Sequence, residues 1–412
     1  MTATLDPAPS SRLRTLLSGS GVIAVAIVLM SVATYAFQMV AARLLGPEQY
    51  GGTASLLATL LVVSVLQLGL QATAARRIAA EPADVGRVER GILTIAYRGS
   101  LLLAGVLLLL SPAVERLLRL DSVYPALLLA VGTVPMTVMG AQAGILQGER
   151  RWGPLALVYL AAGVPRLLVG IVAMLIRPTE GAAMAAVALG WFAPVAVGWW
   201  ALRRSPVRTA HGEGDHREML RETWRASMAL LAFFALSNAD IVLSRHVLSD
   251  RDSGLYAGGL ILAKAVLFLP QFVAVVAFPA MSTASERRRA LLRSLAMVAT
   301  CGVVCVAGAI LLKPVAMVFI GGDDYAAIEG RLWLFAVLGT LLSALQLLVY
   351  SVLARQSRWS AYLLWAGVLL VVAGGLRVDS LSALLTLVTA VDAGLLVVLL
   401  GLSLWRMRDD PR

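Results

Sequence analysis

Apolar stretches alternate with short polar joints along almost the whole chain. An α-helix rises 1.5 Å per residue, so about 20 mostly apolar residues cross the roughly 30 Å of hydrocarbon in a bilayer. With that ruler the pattern predicts twelve spanning helices, at 16–42, 53–75, 92–114, 124–147, 153–176, 181–202, 224–248, 254–279, 291–312, 331–353, 359–376 and 381–404. The longest polar interior segment, "RRSPVRTAHGEGDHREMLRET", divides them six and six. The expected domains are a segment 1–15, an amino-terminal lobe 16–202, a linker 203–223, a carboxyl-terminal lobe 224–404 and a tail 405–412. The expected fold class is an all-α integral membrane protein of two six-helix bundles.

Composition agrees with that solvent. The 412 residues are 59% hydrophobic and 14% charged, with a mean hydropathy of +0.83, more apolar surface than a water-soluble globule of this length tolerates. The first apolar stretch, "LLSGSGVIAVAIVLMSVATYAFQMVAA", exceeds the roughly 7–15 apolar residues of a cleaved signal and is expected to remain as the first span. The net charge of +11 does not call for nucleic acid, because the basic residues flank the spans instead of gathering in one folded domain. Counting alternately from a cytoplasmic start puts 22 Lys and Arg inside and 8 outside. The positive-inside bias therefore expects both termini in the cytoplasm, and the expected location is a bacterial cytoplasmic membrane.

The sequence excludes several kinds of chemistry. It has no P-loop, no HExxH and no CxxC, so nucleotide hydrolysis by this chain is not expected. No joint is long enough for a catalytic domain; after the linker the longest is "KPVAMVFIGGDDYAAIEG", at 313–330. No enzyme activity, cofactor or metal is expected. Cys301 and Cys305 read as small packing residues of span 9, and His211, His216 and His246 as solvated polar residues.

What remains is a handful of polar side chains at membrane depth. Arg166, beside Pro165 in "VYLAAGVPRLLVGIVAMLI", stands about 20 Å from one end of span 5 and about 15 Å from the other at 1.5 Å per residue. That is too deep to snorkel, and it shares a face with Tyr159, Ala162, Gly163, Gly170 and Ala173. Such a small-residue face suits tight packing or a water-filled cavity. A charge at that depth costs at least about 2.5 kcal/mol and normally faces a partner or a substrate path. Spans 1 to 6 contain no acidic residue, so Arg166 is a candidate contact for an anionic substrate group such as a phosphate. Pairing with Asp240 or Asp392 of the other lobe, or with backbone carbonyls, is the alternative.

Uncharged stripes accompany it: Ser31, Thr34 and Gln38 on span 1, and Ser64, Gln67 and Gln71 on span 2. Amides and hydroxyls in lipid need partners, so these faces meet other helices or a wet cavity. The carboxyl lobe carries both signs, with Asp240 and Arg245 in span 7, Lys264 in span 8 on a face with Gln271, and Asp392 in span 12. Asp240 with Lys264 is the first expected ion pair and Asp392 the second candidate. This group is either structural or exchanges a proton or sodium ion. The candidate cavity residues are thus Arg166, Gln38, Gln67, Gln71, Lys264 and Gln271.

The halves echo one another: "RLLGPEQYGG" joins spans 1 and 2, and "HVLSDRDSGLYAGG" joins spans 7 and 8. Repeats of this kind build many transporters, with the substrate between them. At "AARLLGPEQYGG", "ILQGERRWG" and "NADIVLSRHVLSDRDSGLYAGGLILAKAVLFLPQFVAVVAFPAMS" the chain resembles the polysaccharide biosynthesis family of Wzx-like lipid-linked oligosaccharide flippases, in the multidrug/oligosaccharidyl-lipid/polysaccharide (MOP) exporter superfamily. The resemblance implies two six-helix bundles around a central cavity lined by spans 1, 2, 7 and 8 that opens alternately to either side. It also implies a polyprenyl-diphosphate-linked glycan as substrate, with membrane lipids and glycan-assembly proteins as the other partners. The family's Arg and Asp positions fit Arg43, Asp240 and Lys264 loosely. The interiors of spans 1 and 2 are uncharged here, unlike the peptidoglycan-precursor branch.

Four other readings compete. A MATE-like drug or cation antiporter would call for acidic cavity residues. A membrane enzyme of glycan assembly needs a sizeable outside loop. A facilitator-type sugar transporter should carry Gly-x-x-x-Asp-Arg where this chain has "EPADVGRVERG". A structural subunit of a glycan-assembly complex is the fourth.

Overall fold

A computed structural model describes residues 20–80, 84–203, 216–266, 287–353 and 358–406, and every regular element among these residues is helical. The amino-terminal lobe consists of α1 (Ser20–Val63), α2 (Val65–Ala80), α3 (Val85–Leu118), α4 (Tyr124–Gly148), α5 (Trp152–Ile176), α6 (Glu180–Gly190) and α7 (Phe192–Arg203). The carboxyl-terminal lobe consists of α8 (His216–Val247), α9 (Asp250–Val266), α10 (Arg287–Leu311), α11 (Lys313–Ile320), a 3₁₀ helix (Asp323–Arg331), α12 (Leu332–Leu353), α13 (Arg358–Gly375) and α14 (Leu381–Arg406). Gln271, Pro270 and Pro279, the segment 1–15 and most of the expected linker lie outside the described residues.

Nine helical stretches among the described residues are long and apolar enough to cross a bilayer. The first, Gly21–Ala80, has 60 residues, about 90 Å of helix and far more than one crossing requires. It turns at Gly46, whose φ of 68° and ψ of 172° lie outside the helical region. Glycine enters that region without the steric penalty a side chain would bring. The chain doubles back there: Gly163 and Gly170 of α5 pack on Met30 and Phe37 of the first limb, while Tyr159 of α5 meets Gln71 of the returning limb. This one break converts a single long stretch into two crossings. The shorter apolar helix α13 falls at expected span 11, and α9 at the start of expected span 8, whose residues 267–279 lie outside the described residues.

One end of the bundle carries Arg76, Arg77, Arg150, Arg151 and Arg203 (the basic end); the joints near 46–50, 119–123, 177–179 and 248–250 gather at the other (the far end). Two stretches differ from the sequence expectation. His216–Thr223 continue α8 instead of the linker, because Arg77 pairs with Glu218 at 2.9 Å and Glu222 at 3.0 Å and ties this turn to α2. The stretch 313–330, expected as a joint, forms α11 and the 3₁₀ helix. Pro314 stands in the first turn of α11, where its missing N–H costs nothing. Tyr325 of the 3₁₀ helix is fully buried and donates from Oη to the Ala42 carbonyl at 3.2 Å, joining the lobes.

Candidate functional site

The small-residue face of α5 is a packing face. A Cβ on Gly163 would sit 2.9 Å from Met30 Cα, and one on Gly170 would sit 2.5 Å from Phe37. The backbone of α1 therefore lies directly against α5, and Arg166, between these glycines, is carried into the middle of the lobe. It is 8% exposed. From the other side α6 closes in: a Cβ on Gly190 would lie 2.7 Å from Arg166 Cβ.

The guanidinium has no acidic mate there. Its Nη2 donates to Thr34 Oγ1 at 2.5 Å, and Thr34 in turn donates to the Met30 carbonyl at 2.9 Å. The ring centroids of Phe37 and Trp191 lie 5.9 and 5.7 Å from its central carbon, within cation–π range. Arg166 Nε has no hydrogen-bond partner, and neither has the buried Nε1 of Trp191. Pairing with Asp240 or Asp392 does not occur; both carboxylates belong to the opposite lobe and Arg166 is held within its own.

The other amino-lobe candidates turn the same way. Gln67 donates from Nε2 to Met139 Sδ at 3.3 Å. Gln71 donates to Gln147 Oε1 at 3.1 Å and Tyr159 Oη at 2.8 Å. Both side chains thus look at α4 and α5 inside their lobe. Gln38 is half-buried on α1, one turn beyond Thr34. Span 2 meets span 7 closely: Ser55 Oγ donates to the Ile241 carbonyl at 3.2 Å and Ser227 Oγ to the Val65 carbonyl at 3.2 Å.

In the carboxyl lobe the expected Asp240–Lys264 ion pair is absent from the described residues, and other polar groups take its place. Asp240, 2% exposed, accepts from Tyr256 Oη at 2.8 Å and from the Ile241 amide at 2.8 Å. Lys264 donates instead to Asn238 Oδ1 at 3.0 Å, a neutral acceptor on the same helix as Asp240. Asp392, 1% exposed, has no partner for either carboxylate oxygen and lies within the field of Asp240. It does not serve as second mate to Lys264. Asn238 was not singled out from the sequence, and Tyr256 and Trp191 carried no signal beyond being aromatic residues in apolar helices.

At the far end the lobes are clasped. Arg245 of α8, 3% exposed, donates from Nε to the Leu118 carbonyl at 2.7 Å and from Nη2 to the Arg119 carbonyl at 2.7 Å. Its Nη1 lies 3.1 Å from Asp250. Arg119 replies from the amino lobe, donating to the Leu248 carbonyl and lying 3.6 Å from Asp250. Beneath them a Cβ on Gly254 would fall 1.6 Å from the Pro47 carbonyl oxygen, so the backbones touch where the two echoing joints meet. Arg43, by contrast, is exposed.

The described residues contain no group of three or more His, Cys, Asp or Glu side chains that could hold a metal. Cys301 and Cys305 are free thiols. A groove of about 250 Å³ between α9, α10 and α11 has an apolar lining that includes Leu262, Val266 and Phe319, and none of the candidate residues lines it.

Solved structures share this architecture. A multidrug resistance MATE family transporter of the MOP superfamily in an inward-facing conformation superposes with a TM-score of 0.70 at 14% identity, covering 92% of this chain and 95% of that one. The same description in an outward-facing conformation gives 0.60 at 15% identity, covering 98% and 99%. The lipid II flippase MurJ in an inward closed conformation gives 0.70 at 11% identity, covering 92% and 86%. No curated protein matches the chain. The fold is therefore that of the MOP superfamily, a multi-pass membrane architecture. A family model described as polysaccharide biosynthesis protein matches residues 40–329, well over half of the chain, and the chain belongs to that family.

Proposed function

We propose that this protein flips a polyprenyl-diphosphate-linked oligosaccharide, or a related polysaccharide precursor, across the cytoplasmic membrane of a bacterium by alternating access. The lipid tail stays in hydrocarbon while the charged head crosses between the lobes. The observation that carries this reading is Arg166: a guanidinium without an acidic mate, in a lobe whose membrane helices contain no acid in their interiors. A diphosphate is far too costly to move bare through oil, and guanidinium matches phosphate geometry through charge-assisted hydrogen bonds. Thr34 and, one turn along α1, Gln38 supply neutral donors and acceptors for sugar hydroxyls, Gln67 and Gln71 join them only on leaving their bonds to α4 and α5, and Lys264 supplies a cation from the facing lobe. Membership of the polysaccharide biosynthesis family and the shared fold with the lipid II flippase support the reading. The flippase acts as a transporter and not as an enzyme, with glycan-assembly proteins as the suppliers and consumers of its cargo.

A second reading is favoured by one observation in the other lobe. The buried pair Asp240 and Asp392 is the kind of group that a cation antiporter uses, and MATE transporters share the fold. Under the flippase reading the same carboxylates exchange a proton or sodium ion as the lobes rock. Translocation of a fluorescent lipid-linked diphosphate in reconstituted vesicles separates the readings. Wild type moves it and Arg166→Ala, inserted to the same level, does not; full translocation by Arg166→Ala, or proton-coupled uptake of cationic dyes with no lipid movement, defeats the flippase reading.

A further inference from the structure

At the basic end the lobes meet through one guanidinium. Arg77, in the last turn of α2, donates from Nε to Glu222 Oε2 and from Nη2 to Glu222 Oε1, both at 3.0 Å, and Nη2 also lies 2.9 Å from Glu218 Oε2. The two glutamates stand four residues apart on α8 and so share a face; α8 belongs to the carboxyl lobe and α2 to the amino lobe. Met219, one residue after Glu218 and 1% exposed, enters an amino-lobe cluster with Leu70, Ala74 and Ile78 of α2 and Val88 and Ile92 of α3. The ion pairs are less enclosed. The side chains of Arg77, Glu222 and Glu218 are 16, 31 and 51% exposed.

Spans 2 and 7 touch in sequence from the far end inward: Ser55 with the Ile241 carbonyl, then Ser227 with the Val65 carbonyl, then Arg77 with the two glutamates. An opening at the basic end on this side, with the far-end clasp shut, parts the last of these. The released carboxylates turn to water, which already reaches them. Arg77 then needs another anion. Two carboxylates on one guanidinium offer the charge and the forked hydrogen-bond pattern that a diphosphate offers. We propose that Arg77 is a docking site for the diphosphate headgroup of the cargo, and that Glu218 and Glu222 fill it in the closed protein as an internal stand-in that the headgroup displaces. The proposal rests on the transport reading above, under which the basic end is the entrance. An empty carrier thus stays shut at this end, and an arriving anion is what opens it.

The test uses the full-length protein in lipid nanodiscs at constant ionic strength, titrated with farnesyl diphosphate and, separately, with inorganic pyrophosphate. The double variant Glu218→Gln with Glu222→Gln vacates Arg77 and half-saturates at about fivefold less farnesyl diphosphate than wild type, the scale set by partly exposed ion pairs. Arg77→Ala needs about tenfold more, as expected for lost hydrogen bonds to a charged ligand. In the Arg77→Ala background the two glutamine changes no longer tighten binding, because competition for one site vanishes with the site whereas a general change of charge persists. Should the alanine variant fail to fold, Arg77→Lys keeps the charge, loses the fork and binds more weakly than wild type. A merely structural tie gives the opposite result at Arg77: its loss loosens the end and binding is unchanged or tighter. That result, or a gain from the glutamine changes that persists without Arg77, overturns the docking site. Pyrophosphate that binds as tightly as the farnesyl probe makes the ligand a free phosphate compound and overturns its assignment to lipid-linked cargo. The transport reading fails separately. Arg77-dependent binding with no translocation of lipid-linked diphosphate in vesicles defeats the carrier and spares the site, and translocation with no Arg77-dependent binding does the reverse.

Discussion

In the amino-terminal lobe a single cation, Arg166, rests on a threonine hydroxyl and two aromatic rings. In the carboxyl-terminal lobe Asp240 and Lys264 each take a neutral hydrogen-bond partner, Tyr256 and Asn238, and one carboxylate, Asp392, is left without a donor. Both lobes thus keep an ionisable group in oil whose charge nothing nearby answers directly, and the two groups have opposite sign. A bundle held together by its polar residues would have paired them across the interface. Keeping them apart costs stability, and under the transport reading proposed above the difference in sign suits anionic cargo in one lobe and coupling cations in the other.

The largest effect expected is on the contact that closes the far end, since neither lobe can act alone. Gly254→Ala places a methyl group on the Pro47 carbonyl, a backbone atom that cannot swing aside. The clasp then fails to close: cysteines introduced near the far end become reactive to membrane-impermeant reagents, and transport falls by more than tenfold. Normal protection with normal transport would show that the two lobes do not need this closure. Arg245→Ala acts in the same direction through the lost bonds to Leu118 and Arg119, each worth about 1.5–3 kcal/mol as a hydrogen bond to a charged group.

Next in size is the sign of the stability change at Arg166. Arg166→Leu removes an unanswered charge and is expected to raise stability while abolishing translocation. A structural arginine gives the opposite sign, because its loss leaves a partner bare. Thr34 is the partner in question, and its hydroxyl keeps the Met30 carbonyl when Arg166 is gone. Denaturant melts of the two proteins read the sign directly.

The sequence exposed the framework of this comparison and concealed its details for physical reasons. Hydrophobic runs of spanning length and the polar joints between them are one-dimensional signals, so most of the spans and the burial of Arg166 were legible. The small-residue face of span 5 was legible too, though its two meanings were not separable until α1 was seen lying on Gly163 and Gly170. Partner choice is three-dimensional. Charge alone pairs Asp240 with Lys264, whereas the fold puts the Tyr256 phenol at 2.8 Å from the carboxylate and Asn238 at 3.0 Å from the ammonium. Trp191 looked like any aromatic in an apolar helix; only the joint between α6 and α7 brings it to the guanidinium.

The smallest effect separates the two carboxylates of the other lobe. Asp240→Ala leaves the buried Tyr256 hydroxyl without its acceptor, a loss of about 1–3 kcal/mol. Asp392→Ala orphans no donor, because neither of its oxygens has one, and removing a second carboxylate from the field of Asp240 relieves repulsion. Stability in the second variant is therefore unchanged or slightly higher, and in the first it is lower. If Asp392 is a coupling group, Asp392→Asn also flattens the dependence of transport on pH or sodium while leaving the melting curve in place. Equal losses of stability in both alanine variants would mean that Asp392 is anchored as firmly as Asp240, and the carboxyl lobe would then contain no counterpart to the unanswered arginine of the amino lobe.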